Sequence, residues 1–303
     1  MVEFGWMLPT GNQRMPDGDY TTHLHQVLSS IEGNFHAFWM PDHLMDGALP
    51  IPESLSTLSY LAGTHPSLHF GTCVIGEGYR NPALLAKTAA TLQNLSGGRF
   101  ILGVGAGWKA DEYDAYGYPF PKTSERIEAM AETVQICKAL WNAGGEPISF
   151  AGKHHHIADA TCVPQPTPPP PIMIGGTGEK RTLRAVAQYA DWWNIPGAPP
   201  HVVQHKSAVL AKHCADVGRA PADIRRTWMG VVSIAETEAT AEAALSGFPI
   251  WDGDRALVGT PSQVLDQLQA YMDLGISYFI LSFVDEPSTR GMDLFMRHVI
   301  SAY

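Results

Sequence analysis

Positive charge is what this chain is short of. It carries 20 Lys and Arg against 30 Asp and Glu, a formal net charge of −10. Nucleic acid or an anionic membrane surface as main partner calls for the opposite, clustered cations. No run of about 20 apolar residues is present, so no membrane-crossing helix is expected. The opening residues, MVEFGWML, lack the basic flank and small-residue cleavage site of a signal peptide and read as a first strand. The four cysteines, Cys73, Cys137, Cys162 and Cys214, are far apart and form no CxxC pair. That spacing argues against disulfides or a zinc site and for free thiols in a reducing cytoplasm. A GxSxG elbow and a P-loop are also missing.

What the chain does have is a regular alternation of apolar strands with amphipathic helices. Strands are expected at residues 2–8, 35–40, 68–75, 99–103, 171–174, 191–195, 225–234 and 276–283. Helices are expected between them, with Asn81-Pro82 and Thr260-Pro261-Ser262-Gln263 as start signals and Ser96-Gly97-Gly98 as a stop. Eight strands alternating with helices is the count of a single (β/α)8 barrel over residues 1–303, an α/β fold. Residues 148–163 read as an inserted β-hairpin outside that repeat, and the Pro-rich run 164–171 as a stiff connector. In such barrels the active site lies where strands end and helices begin. Those points are rich here in Gly, His, Asp, Asn and Trp.

Two strand ends carry glycine clusters. Gly103-Val104-Gly105-Ala106-Gly107-Trp108 follows the fourth strand, but residues 111–123 read as loop. A dinucleotide-binding turn needs a helix directly on the glycines, so that alternative falls away, leaving tight packing at a rim or a wall beside a ligand. Gly175-Gly176-Thr177-Gly178 follows the fifth strand, with a helix expected at once from Glu179. A helix start of small residues points backbone N–H groups at an anion, which makes this segment a phosphate candidate. Lys180, Arg181 and Arg184 add cations nearby.

The stretch YRNPALLAKTAATLQNLSGGRFILGVGAGW closely resembles the luciferase-like flavin-dependent enzymes, which use FMN or the deazaflavin coenzyme F420, and the likeness runs over nearly the whole chain. The resemblance implies a luciferase-like TIM barrel with the cofactor at the strand C-termini. It implies a ring wall at Gly105, Ala106, Gly107 and Trp108, and a phosphate site at Gly175, Gly176, Thr177 and Gly178. It also implies a non-prolyl cis peptide at Cys73-Val74 behind the ring. The pair Asp42-His43, inside FWMPDHL, looks like that of F420-dependent members, where His lies beside the deazaflavin. On this footing His43 would bond substrate oxygen or cofactor, and Asp42 would orient it.

Two positions depart from that pattern. F420-dependent sugar-phosphate and alcohol dehydrogenases carry a glutamate directly after the glycine stretch, where this chain has Trp108. They carry another after the first strand, where it has Asn12-Gln13. The acid/base pair for alcohol oxidation is thus missing, while Trp6, Trp39, Trp108 and Trp193 suggest a flat apolar or aromatic substrate pocket. His154-His155-His156 reads as a hairpin edge, since neighbours on a strand point to opposite faces and make a poor zinc set. His23 and His25 read as residues of an exposed helix. The expected activity is F420-dependent hydride transfer with a small-molecule substrate, from a cytoplasmic protein and possible homodimer. The alternatives are an FMN-dependent two-component monooxygenase fed by a flavin reductase, and a non-catalytic flavin-binding barrel.

Overall fold

The computed structural model describes residues 2–10, 20–248 and 255–303. The strands, in chain order, are β1 (Glu3–Met7), β2 (Ala37–Met40), β3 (His69–Thr72), β4 (Ile75–Gly76), β5 (Phe100–Gly105), β6 (Ile148–Ala151), β7 (His156–Ala160), β8 (Ile172–Gly175), β9 (Trp192–Pro196), β10 (Arg225–Ile234), β11 (Ala256–Gly259) and β12 (Tyr278–Phe283). The helices are α1 (Tyr20–Ile31), α2 (Ser54–Thr64), α3 (Pro82–Leu95), α4 (Ala110–Ala115), α5 (Thr123–Asn142), α6 (Thr182–Tyr189), α7 (Pro200–Asp216), α8 (Glu238–Leu245), α9 (Pro261–Asp273) and α10 (Arg290–His298).

Eight strands close a parallel ring in the order β1, β2, β3, β5, β8, β9, β10, β12 and back to β1. These are the eight strands expected from the sequence. Strands β6 and β7 form the separate antiparallel hairpin. Strand β11 was not foreseen. It pairs only with the far end of β10, a ten-residue strand that outruns its neighbour β9 and would otherwise leave an open edge there.

The pleat sorts side chains into two layers. Met7, Trp39, Cys73, Ile101, Met173, Tyr278 and Ile280 fill the barrel interior, while Phe4, Trp6, Phe38, Phe70, Phe100, Leu102 and Phe279 face the helices. Trp39 is the largest fully buried inner residue, and its indole donates to Tyr278 Oη at 3.1 Å. Gly71 makes room for it, because a Cβ there would lie 2.5 Å from the Trp39 ring. The helix signals also hold. Asn81 Oδ1 accepts from the N–H groups of Ala83 and Leu84 at 3.0 and 3.1 Å, and Gln263 Oε1 accepts from Thr260 N at 2.8 Å. No described helix is long and apolar enough to cross a membrane.

The closing helix begins at Arg290 and not near 285, because residues 284–289 form a turn containing a cis Glu286–Pro287 bond. Glu286 is buried there in the outer layer. Its Oε1 accepts from Trp6 Nε1 at 2.7 Å, and its Oε2 has no partner among the described residues. Burial pushes its pKa up from 4.5 to about 8. The folded protein therefore holds a proton that the unfolded chain releases. The stability tied to this group is complete below its ordinary value and is lost as pH rises through about 8. Glu286→Gln, which keeps the shape without the charge, should raise the melting temperature by several degrees at about pH 9 and much less at about pH 5. Calorimetry at the two pH values reads this, and an equal shift at both would show that ionisation is not involved.

Candidate functional site

At the C-terminal mouth of the barrel the chain leaving β3 folds over the end of β5. Thr72 Oγ1 donates to Gly103 O at 2.8 Å and accepts from Gly103 N at 2.9 Å. A Cβ on Gly103 would overlap the Thr72 carbonyl, so only glycine fits. The next peptide bond, Cys73–Val74, is cis. Val74 then sits between two distant strand ends. A Cβ on Gly105 would come 2.6 Å from its methyl group, and one on Gly175 would come 3.0 Å. Val74, Gly105 and Gly175 thus form one floor, continued by half-buried Ala106, Gly107, Gly176 and Thr177. Cys73 contributes backbone only. Its buried thiol points down toward Met229 Sδ (3.6 Å) and Asn194 Oδ1 (3.8 Å), and burial raises its pKa to about 12.

The glycine loop after β5 is fixed from outside by Arg126, a residue that sequence reasoning missed. Its guanidinium donates to Ala106 O (3.1 Å), Pro121 O (2.5 Å) and Gly107 O (3.4 Å) and lies over the Phe120 ring at 3.8 Å. Gly107 has φ +70°, and a Cβ there would overlap the Tyr113 hydroxyl. Trp108 follows, 74% exposed, with its ring edge-on to His43 at a centroid distance of 5.8 Å.

His43 stands at the end of β2 with its side chain 28% exposed. Its Nδ1 is 2.7 Å from Oε1 of Glu112, a fully buried carboxylate on α4. Glu112 also accepts from Tyr79 Oη (2.8 Å) and Leu44 N (3.2 Å), and Lys109 Nζ lies 3.3 Å away. Burial alone would raise the Glu112 pKa. The Tyr79 bond, His43 and the Leu44 amide outweigh it and hold the carboxyl below the usual carboxylate range. The sequence led to the expectation that residues 111–123 are loop, and the structure corrects this. A six-residue helix carries Glu112 and buried Tyr113 beneath the mouth. Its brevity hid it, since one and a half turns give no periodicity to read.

Asp42 does not orient His43. Arg80 grips it with both terminal nitrogens (2.5 and 2.8 Å), and Ser54 Oγ (2.6 Å) and Gly76 N (3.0 Å) complete its set. This buried cluster ties the end of β2 to β4 and α2. Arg80 also bonds Glu53 at 2.5 Å, and Lys109 bonds Asp46 at 3.0 Å. Arg80 and Lys109, which bind Asp42 and Glu112, are thus already paired.

At the second glycine segment helix α6 starts at Thr182, three residues later than expected. Gly176 has φ +124°, and a Cβ on Gly178 would lie 2.8 Å from Thr182 Oγ1. The turn is held by Trp193 Nε1 on Gly176 O (2.8 Å) and Gly176 N on Asn194 O (3.0 Å). Lys180, Arg181 and Arg184 are exposed beside it. Arg181 is 3.9 Å from Glu128, and no ion pair engages Lys180 or Arg184 among the described residues.

Other expectations change. Trp6, Trp39 and Trp193 are fully buried, so of the four tryptophans only Trp108 can meet a ligand. Asn12 and Gln13 lie outside the described residues. His23 is buried, and His25 bonds His65 and Tyr60. The histidine run fastens the hairpin to the barrel. His155 meets buried Glu77 at 2.7 Å, His154 meets Glu128 at 3.2 Å, and Glu132 accepts three backbone N–H bonds from 153–155. No group of His, Cys, Asp and Glu suited to a metal occurs among the described residues. A cavity of about 770 Å³ opens at the opposite end of the barrel, lined by Trp192, Arg225 and Ser277 among others. Two of its charged residues are engaged in ion pairs, Arg225 with Glu3 and Lys138 with Asp191, as at a stabilising face.

A parallel (β/α)8 barrel with a glycine floor and a carboxylate-backed histidine at its C-terminal mouth is the class that these observations define. The chain belongs to the luciferase-like monooxygenase family, whose model matches residues 2–254. It is 35% identical over 158 residues to an F420-dependent glucose-6-phosphate dehydrogenase of Kineococcus radiotolerans, covering 50% of this chain and 45% of the relative. It is 33% identical over 219 residues to the phthiodiolone/phenolphthiodiolone dimycocerosates ketoreductase of Mycobacterium tuberculosis, covering 62% and 54%. The chain thus spans about half the length of these curated relatives. A solved F420-dependent secondary alcohol dehydrogenase, in complex with an F420–acetone adduct, has the same fold, with a TM-score of 0.86 at 18% identity over 100% of this chain and 99% of that one.

Arg126→Met keeps the aliphatic stem but leaves three loop carbonyls without their donor. Urea unfolding should show a loss of about 2–4 kcal/mol. A loss below about 0.5 kcal/mol would mean that the loop holds its shape without Arg126.

Proposed function

We propose that this chain is an F420-dependent oxidoreductase acting on a small apolar or aromatic organic substrate, with His43 handling the proton. The observation that carries this reading is His43 itself. Its Nδ1 is committed to a buried carboxylate, its Nε2 has no partner among the described residues, and it stands at the mouth beside the glycine loop.

The mouth suits a deazaflavin. Val74 packs so closely on Gly105 and Gly175, and Tyr113 on Gly107, that side chains at these glycines would displace them, and the resulting floor would support a planar ring. Gly176, Thr177 and Gly178, with Lys180 and Arg184, would meet an anionic tail. A deazaflavin bound there supplies hydride exchange with a substrate carbon, which is chemistry that no side chain offers. Oxidation of an alcohol to a carbonyl then also releases the hydroxyl proton, and reduction takes one up. His43 Nε2 is the group placed to accept or return it. Trp108, edge-on to His43 and exposed, offers an aromatic face.

The substrate class follows from charge. The first relative acts on a sugar phosphate, but here Arg80 and Lys109 are engaged by Asp42, Glu53, Glu112 and Asp46. Among the described residues Arg80 and Lys109 are thus not free for a phosphate-bearing substrate, whereas a neutral apolar one meets Trp108. Residence in the cytoplasm belongs to the same reading and agrees with four buried free thiols. A homodimer is part of it as well.

A reduced-flavin monooxygenase served by a separate reductase is the second reading, favoured by the family's own description. Titration of the apo protein with F420 and with FMN, followed by tryptophan fluorescence, separates the two. Saturable F420 binding in the micromolar range with much weaker FMN binding supports hydride transfer. The reverse order supports the monooxygenase, and binding of neither removes both. His43→Ala should lower turnover at least about tenfold while F420 affinity persists. A protein that binds F420 yet turns over nothing in either form would instead be a non-catalytic barrel.

A further inference from the structure

The carboxylate expected directly after the glycine stretch is not at Trp108. One helical turn further on, α4 carries Glu112 back beneath the mouth and sets it 2.7 Å from His43. We propose that Glu112 is the positioning residue of this site, a buried anion that keeps the neutral imidazole of His43 protonated on Nδ1, so that Nε2 is the nitrogen exchanging protons with substrate. This rests on the reading of His43 as the proton-handling residue.

The argument lies in which groups converge on Glu112. Oε1 faces His43 Nδ1 and the ammonium of Lys109, and Oε2 faces the Tyr79 hydroxyl and the Leu44 N–H. Lys109 and the Leu44 amide are obligate donors, one on each oxygen. An ammonium beside one oxygen and an amide N–H with a hydroxyl on the other favour the ionised form, which the lowered pKa of Glu112 supports and which can only accept. Once Oε1 is committed to accepting, Nδ1 has to be the protonated nitrogen. The remaining charges nearby are already balanced. Asp42 is held by Arg80, Ser54 and Gly76, Arg80 also by Glu53, and Lys109 also by Asp46. Trp108 meets His43 through its ring alone. Glu112 is therefore the one carboxylate bonded to the imidazole among the described residues.

Glu112 also has work to do when His43 is charged. An imidazolium formed by taking a proton on Nε2 lies against a fully buried anion, where opposite charges attract more strongly than in bulk solvent. Glu112 itself does not reach the mouth, since its side chain is fully buried. Its part is to hold and stabilise His43, and proton exchange with substrate stays with Nε2.

The test uses the cofactor-free protein labelled with ¹⁵N-histidine. Long-range proton–nitrogen correlation above about pH 8 reports which ring nitrogen carries the proton. His43 signals are assigned by their loss in His43→Asn. In wild type, roughly nine-tenths of neutral His43 should be protonated on Nδ1. Glu112→Gln offers one acceptor oxygen where two are required, so its NH₂ must face a donor. The Nε2-protonated form should then rise to at least about a third of the population. The affinity for F420, read by fluorescence, should stay within about twofold, because Glu112 does not face the floor. Wild-type His43 protonated mainly on Nε2 would overturn the proposal even if the variant fails to fold. A folded Glu112→Gln with an unchanged tautomer would overturn it too. Failure of wild type to bind F420 would count against the functional reading alone, since the tautomer is read without cofactor.

Discussion

One close approach shapes the mouth of this barrel, that of the Thr72 carbonyl against Gly103. The hydroxyl of Thr72 is bonded to both backbone groups of Gly103, and no side chain can exist at position 103 without driving the two strands apart. Because β3 lies this close to β5, Val74 lands between Gly105 and Gly175, and two glycine clusters about 70 residues apart in the chain become one surface. Forcing an atom into such a contact displaces backbone and not merely a rotamer, which is why overpacked sites cost kilocalories. The floor, its cis peptide and the height of the Gly105–Trp108 loop all depend on that contact.

Around this floor the buried carboxylates divide the work. Asp42 takes four donors from Arg80, Ser54 and Gly76 and serves as a structural knot. Glu77 and Glu132 hold the hairpin turn through His155 and the backbone of 153–155. Glu112 takes the imidazole. Glu286 is the exception, buried against Trp6 with one oxygen unpartnered among the described residues, and it responds by staying protonated. Among the described residues Arg80 and Lys109 are consumed in these pairs, while Lys180 and Arg184 remain open at the other glycine cluster. The mouth thus has a neutral, aromatic side next to His43 and a cationic rim next to Gly176–Gly178. That division matches a cofactor with an uncharged reactive ring and an anionic tail.

Much of this could be read from the chain alone. Period-two strands, capping boxes, Pro at helix starts and glycine stops are local signals, set by sterics and hydrogen bonds within a few residues. They gave the eight ring strands and their order, because a β-strand that feeds a helix and returns parallel leaves few alternatives. The glycine clusters and Asp42-His43 fell at the C-terminal end of the barrel for the same reason, as strand ends rich in small and polar residues.

What local pattern could not show is partnership. Asp42 and His43 are neighbours in sequence, yet successive residues at a strand end diverge, so Asp42 turned to Arg80 and His43 to Glu112, 69 positions away. Trp6, Trp39 and Trp193 look the same as Trp108 in a sequence. Three lie on strands covered on both faces and are buried in the core, while the fourth lies on the loop past β5 and stands beside His43. Arg126 reached the glycine loop only because α5 packs beside it. The sequence alone determined which elements form and at which end of the barrel the chemistry gathers, because both follow from contacts within a few residues. Only the tertiary structure decided which carboxylate serves the histidine and which aromatic ring meets solvent, because those depend on distances between strand ends that close only when the barrel does.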